Sequence, residues 1–378
     1  MNGARAILPG STIGVLGGGP RARMLAQAAA RLGYRVHVYT PQADSPAGQI
    51  AHQEVTAAYD DAAALAAFAR ECDVVTCEFA HVPVASWQEI ESLTQLHPHW
   101  SVLETCQNRA RTKNWLKQGG FPPARFAEVA AGGDIVAGIR EVGLPCVVKT
   151  GGSEDEGPVQ VREEAEVAGA ERAVAGRACV IEQWIDLACE VTVVMARTAR
   201  AAIRVFPLAE NLRTNHRLEF SIVPARVAPA VTAAAEKMAR LIAEKIGLVG
   251  VMGVELFVTR DGRVFVHELA PHTPESGHYT IDACATSQYE QQVRAICGLP
   301  LGDPRLISPI VMVSIPGEAW SKGEPKWDVL LAEPSVRLHL YGQAEPRPGR
   351  QMGHFTVTSR DADMALGLAQ KIKARLTG

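Results

Sequence analysis

The sequence predicts a chain of mixed class, α/β at its start and α+β beyond, closing on a small β-rich unit. Three observations carry this. The opening run "STIGVLGGGPRARMLAQAAARLGYRVHVYTP" reads as strand, helix and strand. From "PCVVKTGG" onward, apolar runs of strand length follow one another with few helices between them. From Leu301 the same pattern returns and ends on one amphipathic helix.

In order, "TIGVL" is an apolar strand, Gly17-Gly18-Gly19 a turn, and the next segment an amphipathic helix leading to a strand that ends at Tyr39. "DVVTCEF" and "SVLE" read as further strands, with helical "DDAAALAAFAREC" and "ASWQEIESLTQL" between them. Residues 1–105 therefore form a small parallel sheet with covering helices. A helix in "NRARTKNWLKQGG" stops at Gly119-Gly120 and a proline pair. Residues 106–300 then hold "PCVVKTGG", "ACVIEQWI", "CEVTVVMAR", "AAIRVFPLAE", "GVMGVELFVT" and "GRVFVHELA" as mostly antiparallel strands, interrupted by a helix from about Thr232 to Lys245. Residues 301–378 hold strands in "SPIVMVSIPG", "VRLHLYG" and "MGHFTVTS", then the helix "ADMALGLAQKIKARL".

Composition excludes several classes. A chain of 378 residues, 47% of them hydrophobic, has material for two or three cores. A net charge of -3 gives no basic field to hold a phosphate backbone, so no nucleic-acid partner is expected. The eight cysteines include no CxxC pair and read as reduced thiols. No run reaches the roughly 18 apolar residues of a membrane span, and no secretory h-region is read, so a cytoplasmic location without membrane partners is expected.

The glycine turn departs from G-x-G-x-x-G, since Arg23 stands at the third glycine. It reads as a tight turn or as an anion site at a helix start, helped by Arg21. Lys149 ends a strand beside Gly151-Gly152, where it is either an exposed lysine or a phosphate contact. Glu255 and Glu268 interrupt two apolar strands joined by "RDG", a hairpin turn that sets them side by side. Two such carboxylates repel unless a cation lies between them, and hard oxygen ligands suit Mg²⁺. Glu182 and Glu190 flank a strand end that can meet an adenine edge and ribose hydroxyls. "HELAPHTPESGH" sets three histidines around Glu268, yet it lacks helical H-E-x-x-H spacing, and His267 and Glu268, as strand neighbours, are expected on opposite faces.

Together these segments resemble the ATP-grasp superfamily and, within it, the N5-carboxyaminoimidazole ribonucleotide synthetases of purine biosynthesis. The resemblance spans nearly the whole chain and rests on "IGVLGGGPRARMLA", "DVVTCEFAHVP", "VVKTGG", "VIEQWIDLACEVTVV", "GVMGVELFV", "HELAP", "SGHYTIDACATSQYEQ" and "LHLYGQAEPRPGRQMGH". It implies a Rossmann-like domain at 1–105, an ATP-grasp domain at 106–300 and a C-terminal β-rich domain at 301–378. It also implies that ATP, bicarbonate and aminoimidazole ribonucleotide are substrates, with Mg²⁺ or Mn²⁺ as cofactor, and that the chain forms a homodimer. Arg109, Lys149, Gly151 and Gly152 would meet the phosphates, and Glu182, Gln183, Trp184 and Ile185 the adenine. Glu190 would meet the ribose, His267 would lie beside the nucleotide, and Glu255 and Glu268 would hold the metal. Arg21, Ser276, Gly277, His278, Arg347 and Arg350 would meet the substrate, with Lys149 and His272 at the reacting groups.

Several motif positions depart from the family pattern. The loop after Lys149 is acidic, Ser153-Glu154-Asp155-Glu156, where the family carries Tyr-Asp-Gly-Lys-Gly-Gln. His272 stands for an arginine, Pro274 for a histidine, Glu275 for an asparagine, Gln351 for a lysine, and Pro20-Arg21 for Gln-Leu. Most residues expected to hold adenine, ribose, magnesium and the strand-end phosphate contact are kept, and those facing bicarbonate and the ribonucleotide are altered. Besides the family reaction, the sequence therefore leaves open a ligase for another carboxylate and amine, or a non-catalytic ATP-binding protein.

Overall fold

The structure, a computed structural model, describes residues 6–79, 81–150 and 157–376. Its first sheet is parallel, in the order β3-β2-β1-β4-β5. The strands are β1 (Thr12–Leu16), β2 (Arg35–Thr40), β3 (Gln53–Thr56), β4 (Val74–Cys77) and β5 (Gln95–Leu96). Helices α1 (Pro20–Arg31), α2 (Ala62–Arg70) and α3 (Val84–Leu93) connect them, and α4 (Trp100–Gln107) and α5 (Arg109–Gln118) lead out. The central strands are buried on both faces, which is why they read as unbroken apolar runs.

"SVLE" is not a strand: it lies in α4. His99 caps that helix by accepting the Ser101 N–H at 3.1 Å, and both Val102 and Leu103 are buried. Four apolar residues carry no period that separates helix from strand, and Gln95–Leu96 takes the place beside β4 instead.

The glycine turn is a tight turn with its anion built in. Buried Glu78 accepts the N–H groups of Gly19 at 2.7 Å and Arg21 at 3.0 Å, so the N-terminus of α1 is neutralised by a carboxylate of the chain itself. Gly17 has φ +114°, and a Cβ there would lie 2.6 Å from that of Glu78, so only glycine fits.

A second sheet, antiparallel and ordered β6-β9-β7-β8, comprises β6 (Phe126–Val129), β7 (Cys146–Thr150), β8 (Val159–Val161) and β9 (Cys179–Gln183). It shares a core with α6 (Ile135–Val142) and α7 (Val167–Val174). The third sheet is also antiparallel, in the order β15-β14-β10-β12-β13-β16-β18-β17 with β11 on β10. Its members are β10 (Leu187–Arg197), β11 (Ile203–Val205), β12 (Ala209–Thr214), β13 (Arg217–Val223), β14 (Gly250–Thr259), β15 (Val264–Ala270), β16 (Ile310–Pro316), β17 (Val336–Leu340) and β18 (Gln351–Thr358). "AAIRVFPLAE" splits between β11 and β12 because Pro207 has no N–H for a ladder.

Helix α8 (Pro229–Lys245) begins ahead of Thr232, since Pro229 suits the first helical turn. Its Val231, Ala235, Ala239 and Ile242 pack on β10, β14 and β15. The remaining helices are α9 (Thr280–Ala283), α10 (Gln288–Ile296), α11 (Trp327–Leu331) and α12 (Ala362–Leu376). α10 packs on α1 and so fixes the first sheet against the third, while β13–β16 pairing carries the third sheet into the C-terminal strands. The eight cysteines are free, and among the described residues no helix is long and apolar enough to cross a membrane.

Candidate active site

The hairpin β14–β15 sets Glu255 opposite Glu268, as the "RDG" turn implied. One pair further the register shifts, so that Leu256 faces Val266 and His267 becomes an extra residue on β15. That β-bulge overturns the expectation that His267 and Glu268 point to opposite faces. Glu255, His267 and Glu268 offer ligand atoms that all lie within 4.8 Å of one another. The His267 ring stacks on Phe257 with centroids 4.1 Å apart. Burial pushes the Glu255 carboxyl up, against the pull of Arg213 and with the help of Glu268.

Beside this pair lies a buried ionic hub. The Glu182 carboxylate, at the end of β9, receives Arg109 at 3.1 Å, Lys113 at 3.0 Å and Lys149 at 3.4 Å. Burial alone would raise its pKa, but Lys149, Lys113 and Arg109 together hold it down at about 2. Lys149 is mostly buried rather than an exposed strand-end lysine, and burial lowers it to about 8. Its ammonium also donates to Nε2 of His267 at 3.1 Å, joining the hub to the carboxylate pair, and Arg109 reaches Glu268 at 3.4 Å. Lys113 was not singled out by sequence. Its signal is the spacing from Arg109, four residues along α5 and so on the same face.

Gly151, Gly152 and the acidic residues 153–156 lie outside the described residues. Gln183, Trp184 and Ile185 line a cleft of about 490 Å³ with the hairpin tip, Arg260, Asp261 and Phe265 among its walls. The N–H groups of Gln183 and Trp184 are already bonded to Arg125 and Pro145 carbonyls, at 2.8 and 3.0 Å. Glu190 accepts Nε of Arg213 at 2.8 Å, and Nη2 of the same guanidinium reaches Glu255 at 2.8 Å.

A second cluster of polar side chains, on the acceptor side, is gathered by the segment after β15, α10 and the C-terminal strands. Nη1 of Arg21 lies 3.4 Å from Nδ1 of His272. Glu275 is half-buried, with its carboxyl raised by desolvation, and accepts from Ser314 at 2.7 Å. The hydroxyl of Ser276 is buried without a partner among the described residues, and Gly277 packs where a Cβ would strike Gln288. His278 accepts from Tyr289 at 3.0 Å and Gln288 at 3.3 Å through Nδ1, so its ring proton sits on Nε2. His354 accepts from Tyr341 at 2.8 Å and stacks on His339, which pairs with Asp282 at 2.9 Å. Burial holds His272, His278 and His354 well below the usual imidazole range. Arg347 and Arg350 are not joined to this cluster by contact: Arg347 pairs with Glu345, and Arg350 donates to the Glu345 carbonyl at 3.4 Å.

Comparison with known proteins places this geometry. A ribonucleotide synthetase preATP-grasp domain matches residues 10–107, an ATP-grasp domain 114–289, and a phosphoribosylaminoimidazole carboxylase C-terminal domain 311–367. The N5-carboxyaminoimidazole ribonucleotide synthase of Bacillus subtilis is 36% identical over 359 residues, covering 94% of each chain. An N5-carboxyaminoimidazole ribonucleotide synthetase solved as its ADP complex superposes with a TM-score of 0.93 at 38% identity, covering 98% of both chains. The Aspergillus clavatus synthase solved with ADP and 5-aminoimidazole ribonucleotide gives 0.90 at 30% identity, covering 97% of this chain and 98% of that one.

Proposed function

The chain belongs to the N5-carboxyaminoimidazole ribonucleotide synthase family, and on that premise we propose that it uses ATP to carboxylate 5-aminoimidazole ribonucleotide with bicarbonate in purine biosynthesis. The single observation that carries the reading to particular residues is the juxtaposition of the Glu255–Glu268 pair with Arg109, Lys113 and Lys149 around Glu182. Three cations within reach of one site match a triphosphate, and a neighbouring carboxylate pair matches its counter-ion.

Bicarbonate oxygen attacks the γ-phosphorus, the bond to ADP breaks and the bicarbonate proton leaves, giving carboxyphosphate. The exocyclic amine of the ribonucleotide then bonds to the carboxyl carbon, directly or through released CO₂, while inorganic phosphate departs with the amine proton. Lys149 and Arg109 exchange Glu182 for phosphate oxygens, and Gln183 to Ile185 with Phe265 hold the base in the cleft between β9 and the hairpin tip. Glu190 holds the ribose once Arg213 lets go of it.

The donor set fits a divalent ion, since two carboxylates and an imidazole converge within 4.8 Å. Glu255 and Glu268 would hold Mg²⁺, which when bound neutralises charge on the phosphates. His267, which lies within the same set, would offer an imidazole once Lys149 turns to phosphate, a donor that Mn²⁺ accepts more readily than Mg²⁺ does. Ser276, Gly277 and His278 shape the acceptor side, and Arg347 and Arg350 bring charge for the ribonucleotide phosphate from the segment before β18. The assembly is a homodimer and the setting cytoplasmic.

The test is ADP release by the purified protein with ATP and Mg²⁺. Release that requires both bicarbonate and aminoimidazole ribonucleotide supports the reading. Release with neither, or only with another acid and amine, overturns it.

A further inference from the structure

On the acceptor side the Arg21 guanidinium forms no salt bridge among the described residues, although its charge favours the nearby Glu275 carboxylate. Arg21 projects from the first turn of α1, and its guanidinium makes one side-chain contact, to His272, among the described residues. Glu78 is committed to the backbone N–H groups of Gly19 and Arg21 and forms no ion pair with the guanidinium. Of the other candidate cations, Arg213 bridges Glu190 and Glu255 and Arg347 pairs with Glu345, while Arg350 donates to the Glu345 carbonyl on the segment before β18. The histidines on this side supply no charge, because burial keeps them neutral.

Nδ1 of His272 lies 3.4 Å from both the Arg21 guanidinium and the Thr273 carbonyl, so the ring is held against the guanidinium from the side of its own backbone. Arg21 thus presents a fork of donors beside a neutral imidazole. Two departures of the sequence from its family pattern, Arg21 in place of leucine and His272 in place of arginine, meet at this contact although 251 residues separate them.

We propose that Arg21 is the residue that binds the carboxyl end of bicarbonate and carboxyphosphate, the charge having moved from position 272 to the start of α1, and that His272 acts as its positioning residue. This rests on the reaction proposed above. A planar, doubly forked donor matches a carboxylate, whereas a neutral imidazole alone would not offset the negative charge of carboxyphosphate. The shift also changes which element carries the charge: an arginine at 272 would ride on the segment following β15, while Arg21 rides on α1, packed against α10.

The probe is phosphonoacetate, a stable mimic of carboxyphosphate, titrated into protein carrying Mg-ADP and followed by calorimetry. Wild-type protein is expected to bind it, Arg21→Leu to bind at least about tenfold more weakly, and ADP affinity to stay within about twofold. The exchange Arg21→Leu with His272→Arg should recover affinity to within about threefold of wild type, and Arg21→Lys should fall between, keeping charge but losing the fork. Thermal melts check that each variant is folded, and the Lys variant serves if the Leu variant is not. No wild-type binding, a Leu variant within about threefold of wild type, or an exchange that recovers nothing overturns the proposal. Binding through Arg21 without turnover would sink the assigned reaction and leave the anion site standing. Turnover unaffected by Arg21→Leu would do the reverse.

Discussion

The two halves of the site store charge in opposite ways. On the nucleotide side the cations around the site's carboxylates are paired before any ligand arrives: Arg109, Lys113 and Lys149 on Glu182, and Arg213 on Glu190 and Glu255. On the acceptor side His272, His278 and His354 are held neutral, burial raises the Glu275 carboxyl, and Arg21 forms no salt bridge among the described residues. A triphosphate is strongly charged and can displace a carboxylate from its partners. A small, strongly hydrated anion such as bicarbonate has less to offer, so a cation awaiting it does better uncommitted.

The largest expected effect strikes the paired half. Glu182→Gln leaves Lys113, almost wholly buried, beside two like charges. Breaking a buried pair in this way costs about 3–5 kcal/mol, seen as a lower denaturation midpoint. Mg-ATP should then recover more stability in the variant than in wild type, since phosphate replaces the missing carboxylate. An unchanged midpoint would mean the hub is an ornament of the fold rather than a charge store.

How much of this the sequence discloses depends on range. The Glu255–Glu268 pair was legible because a short turn fixes hairpin register. The place of His267 was not, since a bulge leaves no trace in strand alternation. Glu182 drew notice as a strand-end carboxylate, but its three cations come from α5 and β7, elements distant in sequence from β9. The identity of the anion in the glycine turn, Glu78, lies on β4's far end and had no local signature. "SVLE" failed for lack of length, and Arg21 with His272 is a contact that only the packing of α1 on α10 brings about.

Next in size is Glu268→Gln, which keeps the shape of the hairpin and removes one charge from the metal-facing set. Mg-ATP affinity should fall at least about tenfold, about 1.4 kcal/mol, with little change in the melting temperature, because this carboxylate is half exposed. Unchanged affinity would remove Glu268 from the metal site. The same titration with Mn²⁺ should show a smaller loss if His267 also contributes.

Acid separates the halves. His278 and His354 have folded pKa values below the unfolded value near 6.5, so below that pH the unfolded chain binds more protons and stability falls as pH drops through 6.5. Glu182 is lowered to about 2, so its contribution is fully present above the unfolded value near 4.5 and is lost only between there and about 2. Hydrogen exchange between pH 7 and 5 should therefore loosen α10 and β18 before β9 and α5. His267 on β15 is likewise held well below 6.5, so the contrast concerns β9 and α5 alone, and the reverse order there would contradict it.

The smallest effect lies at the edge of the nucleotide half, where Arg260 on the hairpin tip reaches Asp186 at 3.4 Å across the mouth of the cleft. Both side chains are more than three-quarters exposed. Water screens such a pair and the two side chains lose rotamer freedom in making it, so Arg260→Ala should change stability by less than about 0.5 kcal/mol. This is where the contrast between the halves can be sharpened rather than broken, because the pair resembles the hub in composition and differs from it only in burial. If ion pairing as such organised the nucleotide side, removing this one would be felt in the melting temperature. A silent Arg260→Ala beside a severe Glu182→Gln would instead assign the effect to the exclusion of water around Glu182, whose side chain is only 3% exposed.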